Sequence, residues 1–186
     1  MKILTGELKG RLILFKTKPG VRPTADKVRK AIFDALQGRL EGSRVLDLFS
    51  GTGALGLEAL SLGAGRALFV EEDGRQARSI QEALDSLDLA DRGGVMAQDA
   101  VKAIHQLGQA AEPFDLIFLD PPYGKGLAQK ALTLLSGSAI VPDGGLVILE
   151  CGKRENFPST LGNLKRVKTK LHGDTKIIFY LREGGV

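Results

Sequence analysis

The stretch V-L-D-L-F-S-G-T-G-A-L-G at positions 45–56 decides how this chain folds. Its first five residues, Val45 to Phe49, read as a short apolar strand, and Gly51, Gly53 and Gly56 then fit the spacing G-x-G-x-x-G. Glycines at that spacing allow a tight turn and a close approach of the backbone to a ligand. The stretch therefore predicts a strand, a ligand-binding loop and a helix, which together open a doubly wound α/β fold.

The sequence that follows repeats the same alternation of strand and helix. Further strands are predicted at 67–70, 94–97, 114–119 and 145–150, with helices ending near 62, 87, 107 and 135. Apolar strands joined to helices by short loops are typical of a parallel sheet that is covered on both faces. The segments 164–171 and 176–181 instead predict an antiparallel pair that closes one edge of the sheet.

The N-terminal segment has a different pattern. Residues 2–16 alternate roughly between apolar and polar around two glycines, which predicts a short β-hairpin. Thr24 fits the N-cap of an amphipathic helix over 25–36. We therefore expect two parts: a basic hairpin and helix at 1–43, and a larger α/β domain at 44–186.

Composition places the chain among ordinary globular proteins. Of its 186 residues, 43% are apolar and 26% are charged. It has no apolar run near the ~18 residues that cross a bilayer, and its N-terminus lacks the apolar stretch of a signal peptide. The single Cys151 excludes an internal disulfide, and His105 and His172 leave little material for a metal centre. We expect a cytoplasmic protein with no membrane contact and no metal.

Charge is distributed unevenly along the chain. Residues 1–44 hold 11 Lys/Arg against 4 Asp/Glu, residues 45–150 hold 7 against 15, and residues 151–186 hold 8 against 3. A basic N-terminal block beside an acidic centre predicts a surface that meets a polyanion, with nucleic acid as the leading candidate. A merely solvated basic face is the alternative.

Three carboxylates lie at or just after the ends of three successive predicted strands. The Asp47 carboxylate would repel a pyrophosphate but would suit a cationic ligand such as S-adenosylmethionine. The segment 47–56 that it begins resembles motif I of class I S-adenosylmethionine-dependent methyltransferases. Glu71 lies 20 residues after Gly51, where a carboxylate can accept hydrogen bonds from ribose hydroxyls. Asp99 can contact the adenine amine of the same ligand or act as a helix N-cap. A loop without a ligand and a dinucleotide site are the alternatives.

The tetrapeptide D-P-P-Y at 120–123 ends the fourth predicted strand. Its prolines remove two N–H donors, so that the Asp120 carboxylate and backbone carbonyls can accept hydrogen bonds from an exocyclic amine. Tyr123 offers an aromatic face on which a base can stack. The tetrapeptide resembles motif IV of methyltransferases that act on adenine N6, guanine N2 or glutamine amides. A rigid turn with a helix cap is the alternative.

Basic residues of the N-terminal part are candidates for contacts with RNA phosphates, because such contacts provide affinity without reading sequence. They are Lys9, Arg11, Arg22, Lys27 and Arg29.

Taken together, the chain resembles the RsmD type of bacterial small-subunit (16S) rRNA guanine-N2 methyltransferase over nearly its whole length. The resemblance rests on G-E-L-K-G-R near the start, R-P-T-A-D-K-V-R-K before motif I, the two motifs above and the closing strands. It implies a Rossmann-like class I fold, with a seven-stranded, mostly parallel sheet, an antiparallel C-terminal edge strand and an N-terminal hairpin and helix.

The resemblance also implies roles for individual residues. The methionine end of the cofactor would be held by Asp47, Ser50, Gly51 and Gly53. The ribose would be held by Glu71 and the adenine amine by Asp99. The target amine would be held by Asp120 and the Pro121 carbonyl, with Tyr123 stacked on the guanine and Pro122 beside the RNA. Arg22 and Thr24 would lie where the N-terminal segment folds over the site.

The implied reaction is direct methyl transfer to a guanine N2 of 16S rRNA on an assembled or partly assembled small subunit, leaving S-adenosylhomocysteine. The protein would act as a monomer, without DNA as a substrate. Alternatives are an adenine-N6 DNA methyltransferase, an amide methyltransferase, a reductase that uses a nicotinamide cofactor, and a non-catalytic RNA-binding assembly factor. One departure is Ala83, where relatives usually carry Asn.

Overall fold

A computed structural model of the protein describes residues 1–13 and 25–184. The predicted site residues Arg22 and Thr24 lie outside the described residues. The chain forms two compact units, Met1–Asp99 and Ala100–Val186. The boundary expected after residue 43 falls inside the first of these units.

The first unit alternates helices and strands from residue 26 onward. Its elements are α1 (Asp26–Ala35), β1 (Arg44–Leu48), α2 (Ala54–Ser61), β2 (Arg66–Val70), α3 (Gly74–Ser86) and β3 (Gly93–Met96). The three strands are parallel in the order β3-β2-β1, with Leu46 opposite Leu68 and Phe69 opposite Val95. These bounds agree with the predicted ones to within one or two residues.

Burial explains why these segments adopt their structures. Strand β1 is apolar on both faces, and Val45, Leu46 and Leu48 are fully buried. Helix α3 begins after Asp73, whose carboxylate accepts the N–H groups of two residues in the first turn at 2.9 and 3.2 Å. Ala83 lies on the buried face of α3, so this departure from the relatives places a small side chain in the core.

The N-terminal segment forms the predicted hairpin over its described residues. Lys2 and Leu12 form an antiparallel bridge, and the Ile13 N–H donates to the Met1 carbonyl at 2.8 Å. Ile3 and Ile13 are buried. The hairpin is therefore packed into the first unit by its apolar face.

A buried ion pair fixes this hairpin to helix α2. The carboxylate of Glu58 accepts the N–H groups of Leu4 and Thr5 at 3.1 and 2.6 Å, and it also accepts the Thr5 hydroxyl. Arg29 places its Nε 3.4 Å from Glu58 and donates to the Lys2 carbonyl at 2.8 Å. Both charged side chains are only 1% exposed.

The burial of Arg29 corrects one expectation from the sequence. Arg29 was predicted to contact RNA phosphates, but its guanidinium is enclosed and is paired with Glu58. A contact between Arg29 and RNA would leave the buried Glu58 carboxylate without its partner, which is costly. The prediction for Arg29 is therefore wrong, and its role is structural.

The second unit begins with a helix and ends in antiparallel strands. Its elements are α4 (Ala100–Ala110), β4 (Leu116–Leu119), α5 (Leu127–Ser136), β5 (Leu146–Gly152), β6 (Thr160–Leu161), β7 (Leu164–His172) and β8 (Thr175–Arg182). The strand order is β4-β5-β8-β7-β6, in which β4 and β5 are parallel and the remaining pairs are antiparallel.

The two units together hold eight strands among the described residues, one more than the seven implied by the resemblance. The unexpected strand is β6, whose two residues pair with β7 across a turn at Gly162, where φ is +53°. A two-residue strand has too few positions to show alternation, so the sequence pattern missed it. Within 1–13 and 25–184, no helix is both long and apolar enough to cross a bilayer.

Removing the buried carboxylate should destabilise the fold. Glu58→Ala removes the buried partner of Arg29 and leaves two backbone amides without their acceptor, so we expect the free energy of unfolding to fall by about 3–5 kcal/mol. Asp34→Ala is the control, because it breaks an exposed pair with Lys30 and should cost less than about 1 kcal/mol. Urea denaturation measures both. Equal losses for the two variants would show that the buried pair does not hold the hairpin.

Candidate active site

The loop between β1 and α2 has an unusual backbone held by Asp47. Phe49, Gly51 and Gly53 have φ values of 65°, 55° and 70°. The Asp47 carboxylate accepts the Gly56 N–H at 2.9 Å. This bond ties the end of the strand to the start of α2.

Ser50 and Glu71 complete the support of this loop. The Ser50 hydroxyl donates to the Asp47 carbonyl at 2.6 Å. The Glu71 carboxylate accepts the Gly51 N–H at 2.8 Å and, through its other oxygen, the Asp73 N–H at 2.9 Å. The first unit therefore brings together four of the residues predicted to hold a cofactor, and it gives Glu71 a structural role that the sequence pattern did not reveal.

These residues fit a cationic ligand that carries a ribose. A carboxylate has about four acceptor positions, and each oxygen of Glu71 accepts one amide bond, so the group can still accept ribose hydroxyls. Asp47 and Glu71 place two negative charges at the loop, which disfavours a pyrophosphate and suits an ammonium or sulfonium group. The residues present therefore fit S-adenosylmethionine better than a dinucleotide.

Gly56 is required for packing. A Cβ atom built on it would lie 2.2 Å from the ring of Phe69, and one built on Gly53 would lie 3.3 Å from the same ring. Helix α2 therefore approaches β2 too closely for any side chain at Gly56. The third glycine of the sequence pattern thus serves helix-to-strand packing.

Asp99 lies just after β3 and is half-buried. It directly precedes Ala100, the first residue of α4, which is the position of an N-cap. Both of its predicted roles, the N-cap and the contact with an adenine amine, remain predictions.

The D-P-P-Y segment follows β4 in the second unit. Asp120 is half-buried, Pro121 is buried and Pro122 is exposed. Tyr123 keeps 48% of its surface exposed. The segment thus presents a carboxylate and a half-exposed ring within four residues.

Glu150 orients the ring of Tyr123. The Tyr123 hydroxyl donates to a Glu150 carboxylate oxygen at 3.1 Å, and the ring lies beside Gly152, where a Cβ would be 3.7 Å away. Burial, followed by the negative charge of Glu150, raises the pKa of Tyr123 above its ordinary value. The tyrosine therefore stays protonated and remains a hydrogen-bond donor at neutral pH.

Sequence reasoning missed Glu150 as a site residue. It lies on β5, is buried, and lines a small cavity together with Pro121, Tyr123 and Glu155. The sequence feature that could have identified Glu150 is its position as an acid at the end of the apolar run L-V-I-L-E at 146–150. A carboxylate in such a strand needs a nearby polar partner, and here Tyr123 provides one.

Cys151 is not suited to nucleophilic chemistry. Burial raises the pKa of its thiol to about 12, so it carries no thiolate at neutral pH. Among the described residues, no group of three or more His, Cys, Asp and Glu side chains is placed to hold a metal ion.

The basic candidates of the N-terminal part divide into two groups. Lys9, Arg11 and Lys27 are exposed, and Arg11 also donates to the Ser86 carbonyl at 3.2 Å. Arg29 is buried as described above. Contacts of the exposed residues with RNA remain a prediction.

Gly56 and Gly74 provide a matched pair of glycine substitutions. Gly56→Ala forces a Cβ into the Phe69 ring, so we expect a loss of about 1–3 kcal/mol in the free energy of unfolding. Gly74→Ala places a Cβ in open space at the start of α3 and should stabilise by about 0.4–1 kcal/mol. Thermal and urea denaturation test both. A neutral Gly56→Ala would mean that α2 lies farther from β2 than described.

Comparison with known proteins identifies the family. The family model "Conserved hypothetical protein 95" matches residues 1–181. YlbH of Bacillus subtilis (strain 168) is 33% identical over 184 residues, covering 99% of this chain and 100% of that protein. Ribosomal RNA small subunit methyltransferase D of Escherichia coli (strain K12) is 31% identical over 183 residues, covering 98% and 90%.

Solved structures agree with this assignment. The Escherichia coli protein yhhF superposes with a TM-score of 0.86 at 31% identity, covering 100% of this chain and 99% of the other. An RNA methyltransferase from Salinibacter ruber in complex with S-adenosyl-L-homocysteine has a TM-score of 0.67, covering 89% and 96%; at 15% identity this likeness shows the fold alone. The chain therefore has the expected Rossmann-like methyltransferase fold and belongs to the family of ribosomal RNA small subunit methyltransferase D.

Proposed function

We propose that the protein transfers a methyl group from S-adenosylmethionine to the exocyclic N2 amine of a guanine in small-subunit rRNA. The observation that carries this proposal is the D-P-P-Y segment, in which a half-exposed Tyr123 ring is held by a buried Glu150 beside Asp120. Membership of the family supports rRNA as the substrate, since the Escherichia coli relative is named for the small subunit.

The first unit would hold the cofactor. Asp47, Ser50, Gly51 and Gly53 would hold its methionine end, Glu71 its ribose hydroxyls and Asp99 its adenine amine. When bound, S-adenosylmethionine supplies an electrophilic methyl group on a sulfonium, and S-adenosylhomocysteine is the product. No metal is needed, because the sulfonium is already a good leaving group.

The D-P-P-Y segment would position the target amine. The Asp120 carboxylate and the Pro121 carbonyl accept its N–H hydrogen bonds, which raises electron density on nitrogen and directs its lone pair. Tyr123 stacks on the base, an interaction worth about 1–3 kcal/mol. The proton that the amine releases passes to Asp120 or to water.

The RNA would bind mainly through its backbone and shape. The target guanine must be unpaired or flipped out to reach the site. Exposed Lys9, Arg11 and Lys27 would contact phosphates, and Pro122 would lie against the nucleotide. Arg22 and Thr24, outside the described residues, are proposed as further RNA contacts. A small protein without a large recognition domain is expected to recognise a folded region of rRNA. We therefore propose an assembled or partly assembled small subunit as the substrate. We also propose that the active form is a cytoplasmic monomer.

Cofactor binding should depend on Glu71 and not on its neighbour. Glu71→Ala removes the acceptor for ribose and for the Gly51 N–H, so we expect the dissociation constant for S-adenosylmethionine to rise about 10- to 100-fold. Glu72→Ala changes an exposed acid at the adjacent position and should leave it unchanged. Isothermal titration calorimetry measures both. Equal affinities for the two variants would remove Glu71 from the cofactor site.

Methyl transfer should depend on Asp120. With labelled S-adenosylmethionine and small-subunit rRNA or subunits that lack the modification, we expect N2-methylguanosine as the product. Asp120→Ala should lower kcat on the order of 100-fold or more, because an acceptor for the amine is removed. Asp143→Ala, an exposed acid of the same unit, is the control. Mass spectrometry of the nucleosides identifies the modified base.

Two further variants separate stacking from hydrogen bonding at Tyr123. Tyr123→Phe keeps the ring and should retain most activity, whereas Tyr123→Ala should raise KM for RNA.

Label found as N6-methyladenine in duplex DNA would favour a DNA methyltransferase instead. Ribosome-assembly activity that survives Asp120→Ala, with no methyl transfer by the wild-type protein, would favour a binding role.

A further inference from the structure

Strand β7 presents several lysines, and its register with β8 is interrupted once. Lys165 pairs with Leu181 and Lys168 pairs with Phe179, so Val167 is an extra residue that forms a β-bulge. Residues directly opposite each other in an antiparallel pair carry their side chains on the same face. Leu181 and Phe179 are two residues apart and share a face of β8. Lys165 and Lys168 therefore share a face as well.

The bulge is what brings these lysines together. Lys170 pairs with Ile177, two residues farther along β8, and so lies on the same face. In a regular strand, residues three positions apart such as Lys165 and Lys168 would point to opposite faces. Bulges are often used to re-aim side chains in this way. Lys165, Lys168 and Lys170 are called here the lysine face.

The lysine face lies on the same side of the sheet as the Tyr123 site. Ile177, the partner of Lys170, pairs on its other side with Glu150. Glu150, Ile177 and Lys170 thus form one row across three strands, and at the usual strand spacing the backbones of Glu150 and Lys170 are about 10 Å apart. Glu150 holds the Tyr123 hydroxyl, so Lys170 lies in the row of the residue that orients the ring proposed to stack on the target base. Lys168 and Lys165 lie in the rows of Ile148 and Leu146, progressively farther from it.

The surrounding charge also suits a polyanion. Residues 151–184 hold eight Lys/Arg against three Asp/Glu. Lys153 and Arg154 are exposed directly after β5, at the same end of that strand as Gly152 and the Tyr123 ring. Lys165 pairs with Glu183 at 3.1 Å, but both side chains are more than half exposed, so a phosphate can replace that partner at low cost.

Edge-strand lysines also serve to prevent edge-to-edge pairing, and β7 is paired with β6 only at its first two residues. Edge protection accounts for lysines and for a bulge on such a strand, but it works with lysines on either face. The observation that points to a further role is that the lysines share the face of Glu150.

We propose that the lysine face binds the phosphates of the RNA strand that leads to the target nucleotide. This inference rests on the proposed function and extends it, because the RNA contacts considered so far are at the N-terminus and in the D-P-P-Y segment. Lysines spaced two residues apart along a strand, about 6.6 Å, can bind successive phosphates. Such contacts set register and affinity but read no base.

The test is a double substitution with a matched control. Lys168→Gln with Lys170→Gln should weaken binding of transcribed small-subunit rRNA at least fivefold at 0.15 M salt. The slope of log K against log salt should become shallower by about 1.4, since each phosphate that a lysine neutralises on a single strand accounts for about 0.7 of it. The control, Arg66→Gln with Arg78→Gln, removes two charges from exposed positions of the first unit and should change affinity less than twofold.

The outcomes distinguish this inference from the proposed function. If the wild-type protein methylates rRNA but the lysine variant binds RNA as the wild type does, or no more weakly than the control variant, the lysine face is not an RNA site. If the wild-type protein transfers no methyl group and the lysine variant alone shows the reduced salt slope, the RNA surface stands and the proposed reaction fails. Weaker binding to small-subunit particles with unchanged binding to naked rRNA would point to a ribosomal protein as partner and overturn the inference.

Circular dichroism and S-adenosylmethionine affinity should be unchanged in both variants, because none of the four substituted residues is among those proposed to hold the cofactor.

Discussion

Two carboxylates that accept backbone amides hold the loop after β1, and the candidate cofactor site depends on them. Asp47 accepts the Gly56 N–H and Glu71 accepts the Gly51 N–H. The loop needs such partners because its left-handed residues leave the strand ladder, and buried amides without acceptors are costly. Hydrogen bonds to a charged group stabilise by about 1.5–3 kcal/mol each. The loop is therefore held in one shape by the protein's own side chains, which would lower the ordering cost of binding a ligand there.

The same arrangement determines what kind of ligand the loop can accept. Many glycine-rich loops bind phosphate because their amides and a helix N-terminus point at the anion. Here Asp47 occupies the amide of Gly56 at the start of α2, and Glu71 occupies the amide of Gly51. Two amides that a phosphate would use are already satisfied, and two negative charges lie beside them. Glycine spacing alone is thus ambiguous, and the carboxylates decide between a dinucleotide and a cationic cofactor.

Local patterns in the sequence predicted the parts of the structure that depend on near neighbours. The strands and helices of both units follow from apolar runs and periodicity. The failures involve partners far apart in the chain. Arg29 reads as a basic residue on a helix, yet its partner Glu58 is 29 residues away and both are buried. Glu150 escaped notice because Tyr123, the group that satisfies it, lies 27 residues earlier. Strand β6 was too short for any pattern.

Tyr123 is both exposed and held in place. Its hydroxyl is fixed by a buried carboxylate, and the raised pKa keeps the proton that this hydrogen bond needs. The ring lies beside Gly152, where an added Cβ would be in ordinary van der Waals contact with it. Nearly half of the residue's surface still faces solvent. An aromatic residue whose hydroxyl is fixed and whose ring is partly exposed loses little conformational entropy when a base stacks on it. Under the proposed function, the carboxylate on β5 would therefore contribute to base binding through the tyrosine, without itself touching the base.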